Sequence, residues 1–320
     1  MRICFIGNSG HSGQALSAIR KMDGIELCGF AYECEREAAC ATEKSYAPFR
    51  DIPFFSDYKA MLDAVNPHIT VASPIYGNTG KVIIECAKRG IHVLAEKPIA
   101  STLEELEAVK DAVKTHNIRL CAMHYLRYTP AFYRAAETVR SGKLGSPRMI
   151  TAQKSYKWGT RPEWYSDPQL YTGIIPWVGI HAFDWIYTFC GSHIKTVTAT
   201  TYGEPERAAI CSFETENGVF GTVNLDIMRP DGAKTHGDDR IRCVCDNGAI
   251  EVSQDKITVT DRDGIYEYTP TSEGIPDLTE EFIKGNSPIP FHEIYRITKS
   301  ALQANLAARA DRTNQTLSPT

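Results

Sequence analysis

The chain has 320 residues, with 35 Lys and Arg against 39 Asp and Glu, and a formal net charge of −4. This balance argues against a nucleic acid or an anionic membrane surface as a partner. No apolar stretch approaches the roughly 20 residues of a membrane-spanning helix. The ten cysteines lack the spacing of a metal site or a disulfide framework, so we expect reduced thiols and no bound metal.

A strand at residues 2–6 runs directly into a glycine turn, Gly7-Asn8-Ser9-Gly10-His11-Ser12-Gly13. The strand begins at the second residue, which leaves no room for a signal peptide and predicts a cytoplasmic protein. The spacing is G-x-x-G-x-x-G, one residue longer than the usual dinucleotide fingerprint, but a strand precedes it and an amphipathic helix follows, as that motif requires. Such a turn places phosphates over a helix N-terminus. We therefore expect a dinucleotide to contact Gly7, Ser9, Gly10, His11, Ser12 and Gly13.

An acid about 20 residues beyond the last glycine is expected to bind the ribose hydroxyls. Glu33 lies 33 − 13 = 20 residues on, while Tyr32 is the residue directly after the second strand, Glu26–Ala31. Three interpretations stay open: Glu33 binds the ribose, Tyr32 contacts the adenosine, or Glu33 is a solvated loop acid. No arginine directly follows the strand, and Arg36 is the nearest one. The sequence favours NAD and leaves NADP open.

Strands and helices alternate through the rest of the first 123 residues, which predicts a doubly wound parallel sheet. Ser73-Pro74 follows one of these strands, and Glu96-Lys97-Pro98 follows another, so both segments lie where open α/β sheets hold ligands. The alternative is that Lys97 is an ordinary exposed turn residue. The predicted strands are 54–55, 69–72, 91–95 and 118–123, and the predicted helices are 34–44, 57–65, 79–89 and 102–115.

The glycine turn, Ser73-Pro74 and above all His92-Val93-Leu94-Ala95-Glu96-Lys97-Pro98 resemble the glucose–fructose oxidoreductase and inositol dehydrogenase family (Gfo/Idh/MocA). The resemblance implies an α/β protein with a Rossmann domain at residues 1–123. It also implies an α+β domain with a large, mostly antiparallel sheet at residues 124–320, for substrate binding and oligomerisation. It places Ser73, Pro74, Glu96 and Lys97 at a bound nicotinamide dinucleotide.

The segment 155–172 is rich in aromatic residues and has little periodicity. A loop of this length inside a compact domain is more often functional than idle. Its side chains either contact the apolar face and hydroxyls of a sugar-like ring or pack against their own domain. The candidates for substrate contact are Tyr156, Trp158, Arg161 and Trp164, with Tyr125 and Arg127 as further candidates from the crossover after the sixth strand.

A helix predicted from Ile174 to Phe189 places Trp177, His181 and Asp184 on one face, at i, i+4 and i+7. The resembling family has the pattern D-x-G-x-H-x-x-D here, and Trp177 occupies the first Asp position. The presence of Trp177 at this position puts a simple polyol substrate in doubt. The resemblance implies His181 as the base and Lys97 as the group that holds the substrate oxygen. Asp184 is expected to orient the helix or the histidine more than to bind substrate.

The remaining chain predicts a largely antiparallel sheet with one face free. Alternation along residues 219–225 puts Phe220, Thr222 and Asn224 on one side. We expect the free faces to pair in a homodimer or homotetramer. A helix is predicted at about 292–310, followed by a frayed polar tail at 311–320. The predicted strands are 195–202, 207–214, 219–226, 240–245, 249–253, 256–260 and 265–269.

Together these patterns predict an NAD(P)-dependent dehydrogenase that acts on a secondary alcohol or ketone of a sugar-like or cyclic polyol substrate. Two alternatives stay open. One is a redox-neutral enzyme that cleaves or epimerises a glycoside with bound NAD, and the other is a non-catalytic nucleotide-binding protein. The retention of both Lys97 and His181 argues against the second alternative.

Overall fold

A computed structural model describes residues 1–316 and the side chains of residues 1–310. The chain forms two compact units. The first comprises Met1–Met123, Pro162–Thr172 and Pro276–Thr298, and the second comprises the described residues of the remaining segments. The predicted second domain, 124–320, is therefore not one continuous piece. Residues 162–172 and 276–298 join the first unit because their side chains pack there: Trp164 contacts Tyr76, and Phe282 lies under Arg119.

The first unit contains a six-stranded sheet in the order β3-β2-β1-β4-β5-β6, and every neighbouring pair is parallel. The residues of β4 and the last three of β5 are buried, as expected for strands covered by helices on both faces. The predicted doubly wound parallel sheet is confirmed. The strands are β1 Arg2–Ile6, β2 Glu26–Ala31, β3 Phe54–Phe55, β4 Ile69–Ala72, β5 His92–Ala95 and β6 Leu120–Ala122.

Eleven α-helices occur among residues 1–316. The predicted helix at 34–44 is instead two short helices, because Ala41 is extended and Thr42 caps the second one. The helices are α1 Ser12–Ile19, α2 Glu35–Cys40, α3 Glu43–Tyr46, α4 Tyr58–Val65, α5 Thr79–Lys88, α6 Leu103–Thr115, α7 Pro130–Arg140, α8 Pro168–Tyr171, α9 Ile180–Cys190, α10 Leu278–Ile283 and α11 Phe291–Thr316.

The second unit contains an eight-stranded sheet in the order β14-β13-β12-β11-β7-β10-β9-β8. All pairs are antiparallel except β7 with β10. The predicted mostly antiparallel sheet is confirmed. Its strands are β7 Pro147–Tyr156, β8 Ile194–Tyr202, β9 Ala208–Thr215, β10 Phe220–Asp226, β11 Gly237–Cys245, β12 Gly248–Ser253, β13 Lys256–Asp261 and β14 Gly264–Tyr268.

Two predicted helices differ in detail. The segment predicted as a regular helix from Ile174 starts with a π-helical turn, Ile175–Gly179, and becomes α-helical only in α9. Pro176 has no N–H to donate to the preceding turn, which favours this wider winding. At the C-terminal end, α11 continues to Thr316 rather than ending near residue 310. Of the predicted tail, residues 317–320 lie outside the described residues. Among the described residues, none of the helices combines the length and the apolar character that a bilayer span requires.

Candidate active site and cofactor site

Glu96 connects the glycine turn to Lys97. Its carboxylate is fully buried and accepts a hydrogen bond of 2.7 Å from the backbone N–H of His11. The His11 Nδ1 lies 3.0 Å from the same carboxylate, and the Lys97 Nζ lies 3.8 Å from it. Burial alone would raise the pKa of Glu96, but the His11 imidazole and the Lys97 ammonium outweigh it and hold the pKa below its usual value. Glu96 is therefore a buried anion with two nearby basic side chains.

Lys97 follows β5, a strand flanked by β4 and β6 within the parallel sheet. Its side chain is only about 5% exposed, and its Nζ lies 5.8 Å from the centre of the Tyr76 ring. The interpretation of Lys97 as an exposed turn lysine is therefore wrong. A buried ammonium is costly unless it is paired, and Glu96 supplies the paired charge.

The glycine turn fits tightly against the residues that follow β4 and β5. Gly7 has a φ of +75°, and a Cβ there would lie 2.4 Å from the carbonyl oxygen of Ser73. Gly10 has a φ of +63°, and its Cβ would lie 2.3 Å from Glu96 Oε2. The Ser9 N–H donates to the Ser73 carbonyl at 2.8 Å, and the Ser73 hydroxyl donates back to the Ser9 carbonyl. Ser73, directly after β4, is thus hydrogen-bonded to Ser9 of the glycine turn in both directions.

The start of α1 suits the pyrophosphate of a dinucleotide. Gly13 is exposed, and apart from its chain neighbours and the backbone of α1 itself, no atom of the described residues lies within 4 Å of a Cβ placed there. The first-turn N–H groups of a helix have no partner inside the helix, and they carry the positive end of its dipole. An anion can therefore approach the backbone at Ser12 and Gly13 closely. The residues present fit the group that the sequence motif implies.

The residues after β2 are held by a second buried acid, Glu37. Its carboxylate accepts hydrogen bonds from the Glu33 N–H at 2.9 Å, the Ser9 hydroxyl at 3.2 Å and the Asn8 N–H at 3.3 Å. Burial raises the pKa of Glu37 to about 7 despite these donors. The Glu33 carboxylate accepts from the Asn78 amide at 2.8 Å. Glu33 is therefore anchored at the turn rather than freely solvated.

Tyr32 and Arg36, which also follow β2, each contact a neighbouring side chain. The Tyr32 ring meets Phe30 edge to face, with centroids 5.0 Å apart. Arg36, the nearest arginine after β2, forms an ion pair of 2.9 Å with Asp167.

In the second unit, His181 is 2% exposed on α9, and the ring of His124 lies 6.1 Å away and perpendicular to it. Asp184, one turn further along α9, is fully buried. Arg127 donates to both oxygens of Asp184, with distances between 2.6 and 3.3 Å. Asp184 therefore ties α9 to the segment after β6.

The aromatic segment 155–172 divides between the two units. In the second unit the Arg161 guanidinium lies 5.1 Å from the Trp177 ring and 6.0 Å from the Trp158 ring. In the first unit Trp164 is 3% exposed, and it stacks on Tyr165 at 4.0 Å. The packing interpretation accounts for Trp164, whereas Trp158, Arg161 and Trp177 form one cluster.

The sequence interpretation missed three buried polar residues. Glu37 lies in a short helix whose composition resembles a solvated surface. His124 sits directly before Tyr125 and was not singled out. Lys154 is fully buried in β7, where burial lowers its pKa to about 8 and Asp239 Oδ2 lies 2.8 Å from its Nζ. The only signal for Lys154 is its position in the inward register of β7, two residues after the buried Ala152.

A parallel sheet in the order 3-2-1-4-5-6, with a glycine turn after its first strand, defines a dinucleotide-binding Rossmann domain. The sequence model of the oxidoreductase family with an NAD-binding Rossmann fold matches residues 1–124. The GFO/IDH/MocA C-terminal domain matches residues 132–251. The chain belongs to the Gfo/Idh/MocA family of oxidoreductases, and its cofactor domain binds NAD.

Related proteins agree with this assignment. A solved structure of a Thermotoga maritima protein, provisionally described as an oxidoreductase, is 34% identical with a TM-score of 0.90, covering 97% of this chain and 98% of that one. Levoglucosan dehydrogenase of Pseudarthrobacter phenanthrenivorans is 33% identical over 115 residues, which are 35% of this chain and 27% of that protein. Inositol 2-dehydrogenase 2 of Saccharopolyspora erythraea is 26% identical over 214 residues, which are 63% of this chain and 59% of that protein. The matches to these two dehydrogenases span less than two thirds of either protein.

Proposed function

We propose that this protein is an NAD-dependent dehydrogenase that moves a hydride between the nicotinamide and a secondary alcohol or ketone of a sugar-like substrate. The observation that carries the proposal concerns the buried Lys97 ammonium. The carboxylate of Glu96 lies beside this ammonium and also accepts a hydrogen bond from the backbone N–H of His11, at the start of α1. One carboxylate thereby couples the dinucleotide-binding turn to a cation at the carboxyl end of a central strand, where α/β sheets bind ligands. The names of the inositol and levoglucosan dehydrogenases among the relatives support the same class.

NAD supplies the hydride chemistry when it is bound. In the proposed reaction His181 takes the hydroxyl proton, a task suited to imidazole because its ordinary pKa is about 6.5. Lys97 holds the hydroxyl oxygen through its ammonium. Arg127 and Asp184 fix the position of α9 and thereby of His181. Tyr125 and the cluster of Trp158, Arg161 and Trp177 contact the rest of the substrate.

The residues proposed to bind the cofactor all lie in the first unit. We propose that Ser9, His11, Ser12, Ser73 and Pro74 shape the turn around the pyrophosphate together with the three glycines. Glu33 then binds the ribose hydroxyls while Asn78 orients its carboxylate. Because Arg36 is engaged with Asp167, it is not positioned as a dedicated partner for a 2′-phosphate. NAD is therefore favoured over NADP.

The proposal is tested by following NADH absorbance in the near ultraviolet while a panel of sugars, inositols and sugar acids is offered with NAD. Formation of NADH with one group of these compounds supports the dehydrogenase. A second candidate is a redox-neutral enzyme, because one relative, 24% identical over 150 residues, is named glycosyl hydrolase family 109 protein 2 of Akkermansia muciniphila. That activity would release the aglycone of a glycoside with no net change in NADH.

We also propose that the second unit forms a homo-oligomer through its sheet. Register along β8, β9 and β10 places Tyr202, Ile210 and Phe220 on one face, and each side chain is more than half exposed. Large apolar side chains concentrated on one sheet face are typical of an interface between protein chains. A homodimer or homotetramer would cover them.

A further inference from the structure

The amino-terminal edge of the parallel sheet carries a row of basic residues. Arg2 opens β1, His68 directly precedes β4, His92 opens β5, and Arg119 directly precedes β6. These strands are neighbours in the order β1-β4-β5-β6, so the four residues follow one another across the edge. Because the strands are parallel, this edge is opposite the carboxyl-terminal edge, where such sheets bind their dinucleotide.

The two histidines of this row have the same hydrogen-bonding arrangement. The backbone N–H of Arg2 donates to His68 Nδ1 at 3.0 Å, and the backbone N–H of Arg119 donates to His92 Nδ1 at 3.1 Å. An imidazole nitrogen that accepts a hydrogen bond carries no proton, so the proton of each neutral ring is on Nε2. Within the described residues, neither Nε2 has a hydrogen-bond partner. Each ring therefore has an unused N–H donor.

Arg119 adds a permanent cation beside His92. Its Nη1 donates to the backbone carbonyls of Phe282 and Asn286, at the end of α10, at 2.7 and 3.3 Å. Its Nε and Nη2 form no hydrogen bond or ion pair within the described part of the chain. Desolvation, the Arg119 guanidinium and His68 all lower the pKa of His92, and no carboxylate acts in the opposite direction. The surroundings of His92 are therefore electropositive.

A cavity of about 420 Å³ opens at this edge, and His68, His92 and Arg119 line it together with Asn66 and Arg89. We call His68, His92 and Arg119 the amino-edge cluster. Arg89 is already paired with two carboxylates, whereas the Asn66 side-chain amide donates to no atom of the described residues. Among the residues that the structure describes, no acid lines the cavity. Its volume is within the range of small-molecule sites.

We propose that this cavity binds a phosphate group, either inorganic phosphate or the phosphate of a small monoester. The donors that remain for a ligand are two imidazole N–H groups, one amide and one guanidinium, on the segments that enter β4, β5 and β6. A tetrahedral phosphate accepts hydrogen bonds on several oxygens at once, and its charge strengthens each of them. This site is separate from the proposed active site, and it does not depend on the dehydrogenase activity.

Binding is measured by calorimetry with saturating NAD, which occupies the start of α1, the other place where an anion is expected. Inorganic phosphate, glycerol 3-phosphate, acetate and glycerol are titrated separately. We expect saturable binding of the phosphate compounds and none of acetate or glycerol. Tighter binding of glycerol 3-phosphate assigns the site to a phosphate ester, and equal or tighter binding of inorganic phosphate assigns it to the free ion. No saturable binding of either compound, or equal affinity for acetate, would overturn the inference.

A histidine variant locates the phosphate. In His92→Asn the side-chain oxygen can accept the Arg119 N–H in place of Nδ1, but the Nε2 donor is lost. The matched control is His292→Asn, at an exposed histidine of α11 that does not line the cavity. We expect phosphate to bind roughly tenfold more weakly to His92→Asn and unchanged to the control. Equal phosphate affinity in wild type and His92→Asn, with both proteins folded, would contradict the assignment.

Nitrogen NMR of the imidazole rings in wild-type protein gives a second readout. Long-range ¹H–¹⁵N spectra are recorded with and without phosphate, again with saturating NAD, and the signals are assigned with His68→Asn and His92→Asn. We expect both rings to have the proton on Nε2 and both Nε2 signals to shift as phosphate is added. Shifts confined to other histidines, or no shift at all, would refute a phosphate site at the amino-edge cluster.

Discussion

Arg127 donates hydrogen bonds to Asp184 from two nitrogens, Nε and Nη2, and the shortest of these contacts is 2.6 Å. The Asp184 side chain is 1% exposed, and the Arg127 side chain is 11% exposed. The pair fastens α9, which carries His181, to the segment that follows β6. Breaking a buried ion pair from one side leaves an uncompensated charge and typically costs about 3–5 kcal/mol.

We therefore expect Asp184→Asn to lower the free energy of unfolding by about 3 kcal/mol in urea titrations. The matched control is Glu251→Gln, which breaks the ion pair with Arg242, where both side chains are about half exposed. An exposed pair contributes less than about 1 kcal/mol. Equal and small losses in the two variants would contradict a structural role for Asp184.

NAD binding is tested most cleanly at Gly13. A valine at Gly10 would strike Glu96, so a loss of binding there would also report a distorted turn. A Cβ at Gly13 has no atom from outside α1 and the adjoining residues within 4 Å, so the fold leaves room for a valine that projects into the space proposed for the pyrophosphate. We expect Gly13→Val to weaken NAD binding at least tenfold by calorimetry while the melting temperature is kept. The control is Ser17→Val, an exposed position one turn later in α1. Unchanged NAD affinity in Gly13→Val would refute the assignment.

Glu37 gives the protein a pH-dependent stability. Its pKa of about 7 in the folded protein exceeds the ordinary value of 4.5, so the folded state binds the proton more tightly than the unfolded state. The stability is fully present below about pH 4.5 and is lost as the pH rises through 7. Wild type should therefore lose up to about 3 kcal/mol over this range relative to Glu37→Gln, since each pKa unit corresponds to about 1.4 kcal/mol. Parallel pH profiles of unfolding free energy in the two proteins would contradict this.

The oligomer is tested on the face that carries Tyr202, Ile210 and Phe220. Light scattering at micromolar concentration should report a dimer or a tetramer. Ile210→Asp places a charge in the proposed interface and should shift the protein toward the monomer. The control, Gln14→Asp, adds the same charge to an exposed position of the first unit. A monomeric wild type would overturn the proposal.

Most strands were predictable from the sequence because their patterns are local. β1, β2, β3 and β4 occur at the predicted residues, since short apolar runs between turns leave little choice of register. The π-helical turn before α9 was not predictable in the same way. Spacing at i, i+4 and i+7 assumes a regular helix, whereas Pro176 changes the winding between Trp177 and His181.

The positions of the glycine turn after β1 and of Lys97 after β5 were predictable because a sequence motif marks each of them, and their roles stay predictions. The candidate site was not predictable where the contacts are distant in the chain. Trp164 and Trp158 lie six residues apart, yet their rings belong to different units, because Trp164 packs on Tyr76. The burial of Glu37 likewise depends on donors from Asn8 and Ser9, about 30 residues earlier in the chain. Local composition does not encode such pairings.

Lys97→Met keeps much of the aliphatic stem and removes the ammonium. We expect turnover to fall by roughly 10² to 10⁴, while NAD affinity measured by calorimetry stays within about threefold of wild type. Glu96 would lose its neighbouring cation but keep the His11 contacts, so the glycine turn remains supported. Full turnover in Lys97→Met would remove Lys97 from the proposed chemistry.

The central claim is tested most directly by the turnover of His181→Asn with the active substrate found in the panel. Asparagine keeps part of the shape and hydrogen bonding of histidine but cannot accept the proton. We predict that kcat falls by roughly 10² to 10⁴, with NAD affinity unchanged. The double variant with Lys97→Met should lose less than the product of the two single losses, because groups that serve one transition state are not additive. Turnover of His181→Asn close to the wild-type value would contradict the account.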